Sequence, residues 1–117
     1  MRDYMKLLKI GSILLMSLSA FAQEYKADIS ICQFSAEFTK SAEINLSDYK
    51  QHNTHLFYIE KDNVIFEKEK IIYLPTLILF QNGKEIMRVE SGISMKYPEN
   101  TKKELENKLE ELLENKF

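Results

Sequence analysis

The sequence predicts one α/β domain, with a four-stranded mixed sheet and helices on both faces in the order β-α-β-α-β-β-α. Three observations support this prediction. Strand-like and helix-like patterns alternate through the middle of the chain, Asn82-Gly83 marks a hairpin turn, and the last segment is strongly amphipathic. The 117 residues provide one core and leave no room for a second domain.

The first half of the domain predicts a strand, a helix, a second strand and a short helix. Residues 28–34 and 55–59 alternate polar and apolar side chains and are rich in strand-forming residue types. Between them a helix is expected from position 39 or 41 to 50, although its apolar positions are only loosely spaced. After the second strand, Asp62-Asn63 is expected to cap a helix that ends near Lys70.

The second half predicts a β-hairpin followed by a helix. Residues 76–80 are an uninterrupted apolar run, typical of a central strand that is covered on both faces. Asn82-Gly83 suits a two-residue type I′ turn, so residues 85–89 must return antiparallel to that strand. In the last segment, Thr101 and Glu104 match a capping box. Leucines at helical spacing form its apolar face: Leu105, Leu109, Leu112 and Leu113.

The N-terminal segment has the three parts of a secretory signal peptide. Basic residues precede a charge-free apolar run at positions 10–21, and residues 20–22 form an A-x-A cleavage site. A membrane anchor is the alternative, but crossing a bilayer takes about 20 apolar residues and this run is shorter. We therefore expect a signal peptide at 1–22, an exported domain at 23–117 that is periplasmic or secreted, and no membrane association after cleavage.

The charge balance argues against a nucleic-acid partner. Residues 1–22 hold three basic and one acidic side chain, so the mature chain would carry 13 Lys and Arg against 17 Asp and Glu, a net charge of −4. Binding to a phosphate backbone depends mainly on clustered Lys and Arg. The charges here alternate in sign, as in Glu67-Lys68-Glu69-Lys70, and we expect that stretch to be a solvated face.

Few residues are candidates for redox or metal chemistry. Cys32 is the single cysteine, so no intramolecular disulfide can form, and its place in a predicted central strand indicates a buried, unreactive thiol. His52 and His55 have a spacing that could bind a metal on a helix, but they flank a predicted turn and no third ligand is close in sequence. The glutamates of the last predicted helix lie among lysines on its solvent-facing side. We expect no metal, no cofactor and no catalytic pair of carboxylates.

Two segments resemble the thioredoxin-like superfamily. Phe34-Ser35-Ala36-Glu37-Phe38 resembles the Phe-Trp-Ala-x-Trp sequence that leads into the family's active site. Residues 74–84 are similar to the family's Ile-Pro-Thr-Leu-x-Phe-x-Asn-Gly sequence. With the flanking elements, the resemblance spans about residues 27–115. It implies the minimal thioredoxin-like fold, without the family's usual first strand and helix.

The resemblance also implies that the catalytic dithiol is missing. If Phe38 replaces the family's second Trp, Gln33 occupies the place of the buried acid. The Cys-Gly-Pro-Cys positions would then carry Thr39, Lys40, Ser41 and Ala42. Thiol–disulfide exchange needs a low-pKa thiolate at a helix N-terminus and a second thiol that resolves the mixed disulfide. The chain is therefore expected to be redox-inactive rather than an enzyme, with Thr39 serving as a helix N-cap.

What remains of the family's substrate groove is the basis of the predicted function. The resemblance implies a cis peptide bond before Pro75 and a peptide-binding site formed by Phe38, Thr39, Leu74, Pro75 and Ile93. In this hypothesis the exported protein holds a peptide or protein partner through backbone hydrogen bonds. One alternative is a thiol-disulfide redox accessory, in which Cys32 forms a mixed disulfide with glutathione or a partner. Another is a structural subunit without a groove.

Overall fold

The computed structural model describes residues 24–115, so the predicted signal peptide and its cleavage site lie outside the described residues. Four strands form one sheet: β1 Ile29–Ser35, β2 Asn53–Tyr58, β3 Thr76–Gln81 and β4 Lys84–Glu90. Two α-helices are present in this range, α1 Ile59–Lys68 and α2 Thr101–Asn115. Short 3₁₀ helices lie at Glu24–Lys26, Glu37–Ala42 and Leu46–Tyr49. None of the described helices is long and apolar enough to cross a bilayer.

The strand order is β2-β1-β3-β4, with β1 and β2 parallel and the other neighbouring pairs antiparallel. This confirms the predicted four-stranded mixed sheet, and each strand boundary lies within two residues of its predicted position. Gln81 pairs with Lys84, so Asn82 and Gly83 form a two-residue turn. Their φ angles of 50° and 87° are the positive values that a type I′ turn requires.

Both faces of the sheet are covered, because alternate residues of the central strands point to opposite sides. On one face α2 packs with Leu105, Leu109 and Leu112, whereas Leu113 is 39% exposed and lies outside the core. On the other face α1 packs with Phe66. The sheet residues of the α2 face are Ile29, Ile31, Leu77 and Leu79, and those of the α1 face are Cys32, Phe34, Ile78 and Phe80.

The prediction of an α-helix from position 39 or 41 to 50 is wrong. The connection from β1 to β2 contains two 3₁₀ helices, separated by Glu43 in an extended conformation with φ −68° and ψ 149°. The side chain of Gln33 donates to the C=O of Ile44 and accepts from its N–H, both at 2.9 Å. Those two backbone groups therefore cannot join an α-helical ladder, and their pairing with the Gln33 side chain prevails over a weak helical pattern.

The starts of both α-helices also differ from the prediction. α1 begins at Ile59, and Asp62, the expected cap, lies at a kink within it with φ −127° and ψ 40°. At the start of α2, the Thr101 hydroxyl donates to the Pro98 carbonyl at 2.7 Å instead of completing a capping box. The side chain of Asn100 donates to the Glu104 carboxylate at 2.7 Å. Thr101 and Glu104, the two residues of the predicted capping box, thus pair with Pro98 and Asn100 in the turn before the helix and not with each other.

Candidate functional site

The register of the sheet brings three segments that carry predicted site residues to one end. Thr76, at the start of β3, is opposite Phe34 of β1 and Glu90 of β4. Just beyond, the Ser91 N–H donates to the Pro75 carbonyl at 3.2 Å. The segments 36–42, 71–75 and 91–95 therefore meet here, and they are referred to below as the loop end of the sheet.

Several large apolar side chains of the loop end face solvent. Phe38 and Ile93, which belong to the predicted peptide site, are 70% and 90% exposed, and the other exposed ones are Ile72, Tyr73 and Met95. Leu74 is half-buried, and its side chain packs against the core on the α1 face. Among the described residues, neither the backbone N–H nor the C=O of Leu74 has a hydrogen-bond partner. The loop end thus combines exposed apolar side chains with unpaired backbone groups.

Two further residues of the predicted peptide site are buried. Pro75 is inaccessible, with a cis peptide bond before it, and Thr39 is 3% exposed. Thr39 lies inside the 3₁₀ helix whose N-cap is Ala36, so its predicted role as an N-cap is wrong. Its hydroxyl accepts from the Ala36 N–H at 3.0 Å and lies 3.0 Å from the Ser35 hydroxyl. The Thr39 side chain therefore points back to the end of β1 and offers no exposed group to a ligand.

The other three positions at which the sequence resemblance predicted a missing dithiol are accessible, and among the described residues none carries a nucleophile that is hydrogen-bonded to a base. Lys40 and Ser41 are exposed and Ala42 is half-buried. At the start of this 3₁₀ helix, the Glu37 N–H donates to the two carboxylate oxygens of Glu60 at 3.1 and 3.3 Å. In thiol chemistry such an N–H stabilises a thiolate. Here a carboxylate from α1 already accepts the hydrogen bond.

Gln33, for which the sequence resemblance predicted the position of a buried acid, fixes two separate segments. It is 0% exposed. Besides its two hydrogen bonds to Ile44, its Oε1 accepts from the Tyr97 hydroxyl at 2.9 Å. Burial raises the pKa of Tyr97, which keeps that hydroxyl protonated as a donor. A neutral amide in this place supplies one donor and one acceptor to the backbone. The Gln33 side chain therefore links the segments around Ile44 and Tyr97 to β1.

Cys32 lies at the centre of β1 with 0% exposure. Its thiol donates to the Tyr25 carbonyl at 3.4 Å. Burial raises the pKa of Cys32 to about 12, so the thiol stays protonated at neutral pH. Because only the thiolate is an effective nucleophile, this environment favours a structural role for Cys32.

A buried charged cluster at the end of α1 was missed by sequence reasoning. Glu69 is 8% exposed, which contradicts the expected solvated face at that position. The Lys26 ammonium lies 2.8 Å from its carboxylate, the Tyr25 hydroxyl donates to the same carboxylate, and Arg88 donates to the Glu69 carbonyl at 2.8 Å. These partners are distant in the chain, so the alternating charges around Glu69 gave no signal of the cluster.

The two histidines occupy different elements. His52 lies in the turn before β2 and His55 lies within β2. Burial lowers the pKa of both imidazoles, which favours their neutral forms. Within residues 24–115, no group of three or more His, Cys, Asp or Glu side chains is arranged to hold a metal ion.

The architecture resembles solved thioredoxins. The thioredoxin of Plasmodium falciparum matches with a TM-score of 0.53 and 17% identity, over 76% of this chain and 87% of that one. A mutant thioredoxin from Halobacterium salinarum NRC-1 matches at 0.47 and 15% identity, over 58% of this chain and 66% of its own length. Mitochondrial thioredoxin 3 from Saccharomyces cerevisiae matches at 0.45 and 15% identity, over 64% and 76%. No protein-family model matches the chain, and neither does any protein of curated function. The Plasmodium comparison supports a thioredoxin-like fold, and these identities support the fold alone.

Proposed function

We propose that this thioredoxin-like domain binds an extended peptide, or an extended segment of a partner protein, at the loop end without disulfide exchange. One observation carries the proposal. Phe38 and Ile93 are exposed on the two segments that neighbour Leu74, whose backbone N–H and C=O are unpaired within the described residues. An extended peptide can pair with such backbone groups, while the exposed apolar side chains add contact area and selectivity.

The binding mode that fits this arrangement divides the predicted site residues into two kinds. Phe38 and Ile93 provide side-chain contacts, and Leu74 provides backbone hydrogen bonds. Thr39 and Pro75 are buried and support the shape of the loop end without touching the ligand. The rival role as a redox accessory is disfavoured, because it requires Cys32, the single thiol, to be reached from solvent.

Replacing both Phe38 and Ile93 with aspartate is expected to reduce partner capture by about tenfold or more. The change removes the apolar contacts and forces a partner to desolvate two carboxylates. The immobilised protein and the double variant would be incubated with extract of the exporting cells, and captured proteins would be quantified by mass spectrometry. Val64→Asp is the matched control, because Val64 is 71% exposed on α1 and lies outside the loop end. Equal capture by the double variant and the control would contradict the proposed site.

We further propose that the protein acts after export, in the periplasm or outside the cell. Support comes from the signal-like features of residues 1–22. The intact mass of the protein recovered from its host is expected to correspond to a chain that begins at Gln23. Recovery from the membrane fraction with residues 1–22 retained would instead identify that segment as an anchor.

A further inference from the structure

The two edges of the sheet differ in how they are protected against pairing with another chain. The β4 edge carries charged residues and a β-bulge. The bulge arises because Leu79 pairs with Met87 and Phe80 pairs with Glu85, so Ile86 has no partner in β3. Its charged residues are Lys84, Glu85, Arg88 and Glu90. Charges and bulges are features by which natural edge strands avoid edge-to-edge association. The β2 edge has neither, since Asn53–Tyr58 contains no charged residue or proline and pairs with β1 without a register shift.

The outer side of β2 has both parts of a strand-binding site. Within residues 24–115, β2 pairs only with β1, so alternate backbone N–H and C=O groups along its outer side have no strand partner. An open cavity of about 480 Å³ lies against the same strand, lined by Thr54 and Leu56 together with Leu46 and Ser47. Leu56 is 42% exposed. An added strand would find backbone partners at the edge and space for its side chains beside it.

We propose that β2 pairs antiparallel with β2 of a second copy of this chain, across a two-fold axis. Charge complementarity favours this occupant. Lys50 precedes the uncharged strand and Glu60 follows it, and both are exposed. Antiparallel pairing brings the Lys50 end of one copy to the Glu60 end of the other, whereas parallel pairing would bring like charges together. A two-fold axis also uses the same surface on both copies, which is the commonest arrangement in soluble dimers.

The dimer interface lies away from two of the three residues that contact the peptide in the proposed function. Leu74 precedes β3 and Ile93 follows β4, and β1 separates both strands from β2. Phe38 lies on the connection from β1 to β2, two residues before Lys40, which lines the cavity at the β2 edge. Self-association is therefore tested with variants of β2 alone, and peptide binding with variants of Phe38 and Ile93.

Sedimentation velocity of the protein, in the processed form recovered from its host, tests the pairing. We expect the mass to rise from monomer to dimer as the protein concentration increases. Leu56→Lys is expected to raise the dimer dissociation constant by about tenfold or more, because the axis brings the two introduced charges close together. Val64→Lys on α1, at a position that is 71% exposed, should leave it unchanged. If Leu56→Lys does not fold, Thr54→Lys places a charge on the same edge.

Hydrogen exchange locates the contact. Amides in residues 53–58 are expected to become protected as the dimer forms. A protein that stays monomeric at every concentration overturns the proposal, and protected 53–58 amides in that monomer would mean that other residues of the chain cover the edge. A dimer that forms equally well with Leu56→Lys and with Thr54→Lys would also overturn it, because the interface would then lie elsewhere.

Discussion

Cys32 is expected to react with an alkylating reagent at least about a hundredfold more slowly in the folded protein at pH 7 than in denaturant, because opening a core strand costs several kcal/mol. In the folded state, burial raises the pKa of Cys32 to about 12, so the thiol is protonated at neutral pH. The side chain is also 0% exposed, so the reagent reaches it only when the structure opens. Intact-mass measurement follows the reaction, and every added label reports Cys32 because no other cysteine exists.

The pH dependence of the same reaction provides a control. The folded pKa of Cys32 lies above its unfolded value, so its contribution to stability is fully present below pH 9 and is lost as the pH rises towards 12. Labelling of the folded protein should therefore accelerate over this range. Rapid labelling at pH 7 would contradict the buried-thiol interpretation. It would favour the alternative in which Cys32 forms a mixed disulfide with glutathione or a partner.

The strands and the hairpin were predictable because their signals are local. Period-two alternation, an apolar run and an Asn-Gly turn each act over a few residues, and they place every strand boundary within two residues. The connection from β1 to β2 was not predictable in the same way. Its conformation depends on Gln33, which lies 11 residues before its hydrogen-bond partner Ile44. The residues that flank Gln33 and Ile44 in the sequence form no pattern that predicts this hydrogen-bond pairing.

The sequence motifs indicated which segments come together at one end of the sheet, but not which of their side chains are exposed. The two motifs that resemble thioredoxins identified the segments around Phe38 and Pro75, and the sheet register brings these segments to one end. Which of their side chains reach solvent depends on contacts that the motifs do not specify. The Thr39 hydroxyl binds back to Ala36, so Thr39 is buried, whereas Phe38 beside it is exposed. Glu69 shows the same limit, because its burial depends on Lys26 from the start of the domain.

Gln33→Leu is expected to lower the free energy of unfolding by about 3 kcal/mol or more. Leucine fills a similar volume but makes no hydrogen bond, so the N–H and C=O of Ile44 and the hydroxyl of Tyr97 lose their partner together. An unpaired buried polar group costs about 1–3 kcal/mol. Ile44 and Tyr97 are only partly buried, so each group should cost an amount near the lower end of that range. The sum is still a large share of the roughly 5–15 kcal/mol that stabilises a typical domain.

Urea unfolding followed by circular dichroism measures this loss, and Gln51→Leu is its matched control. Gln51 is exposed in the turn before β2, so the same chemical change there should alter stability by less than about 0.5 kcal/mol. Hydrogen exchange of the Ile44 amide adds a local readout, because that N–H should become much less protected once its glutamine acceptor is removed. A Gln33→Leu protein as stable as the control would show that the 43–45 segment keeps its extended conformation without Gln33. The proposed reason for the missing first helix would then be wrong, even though the fold itself would stand.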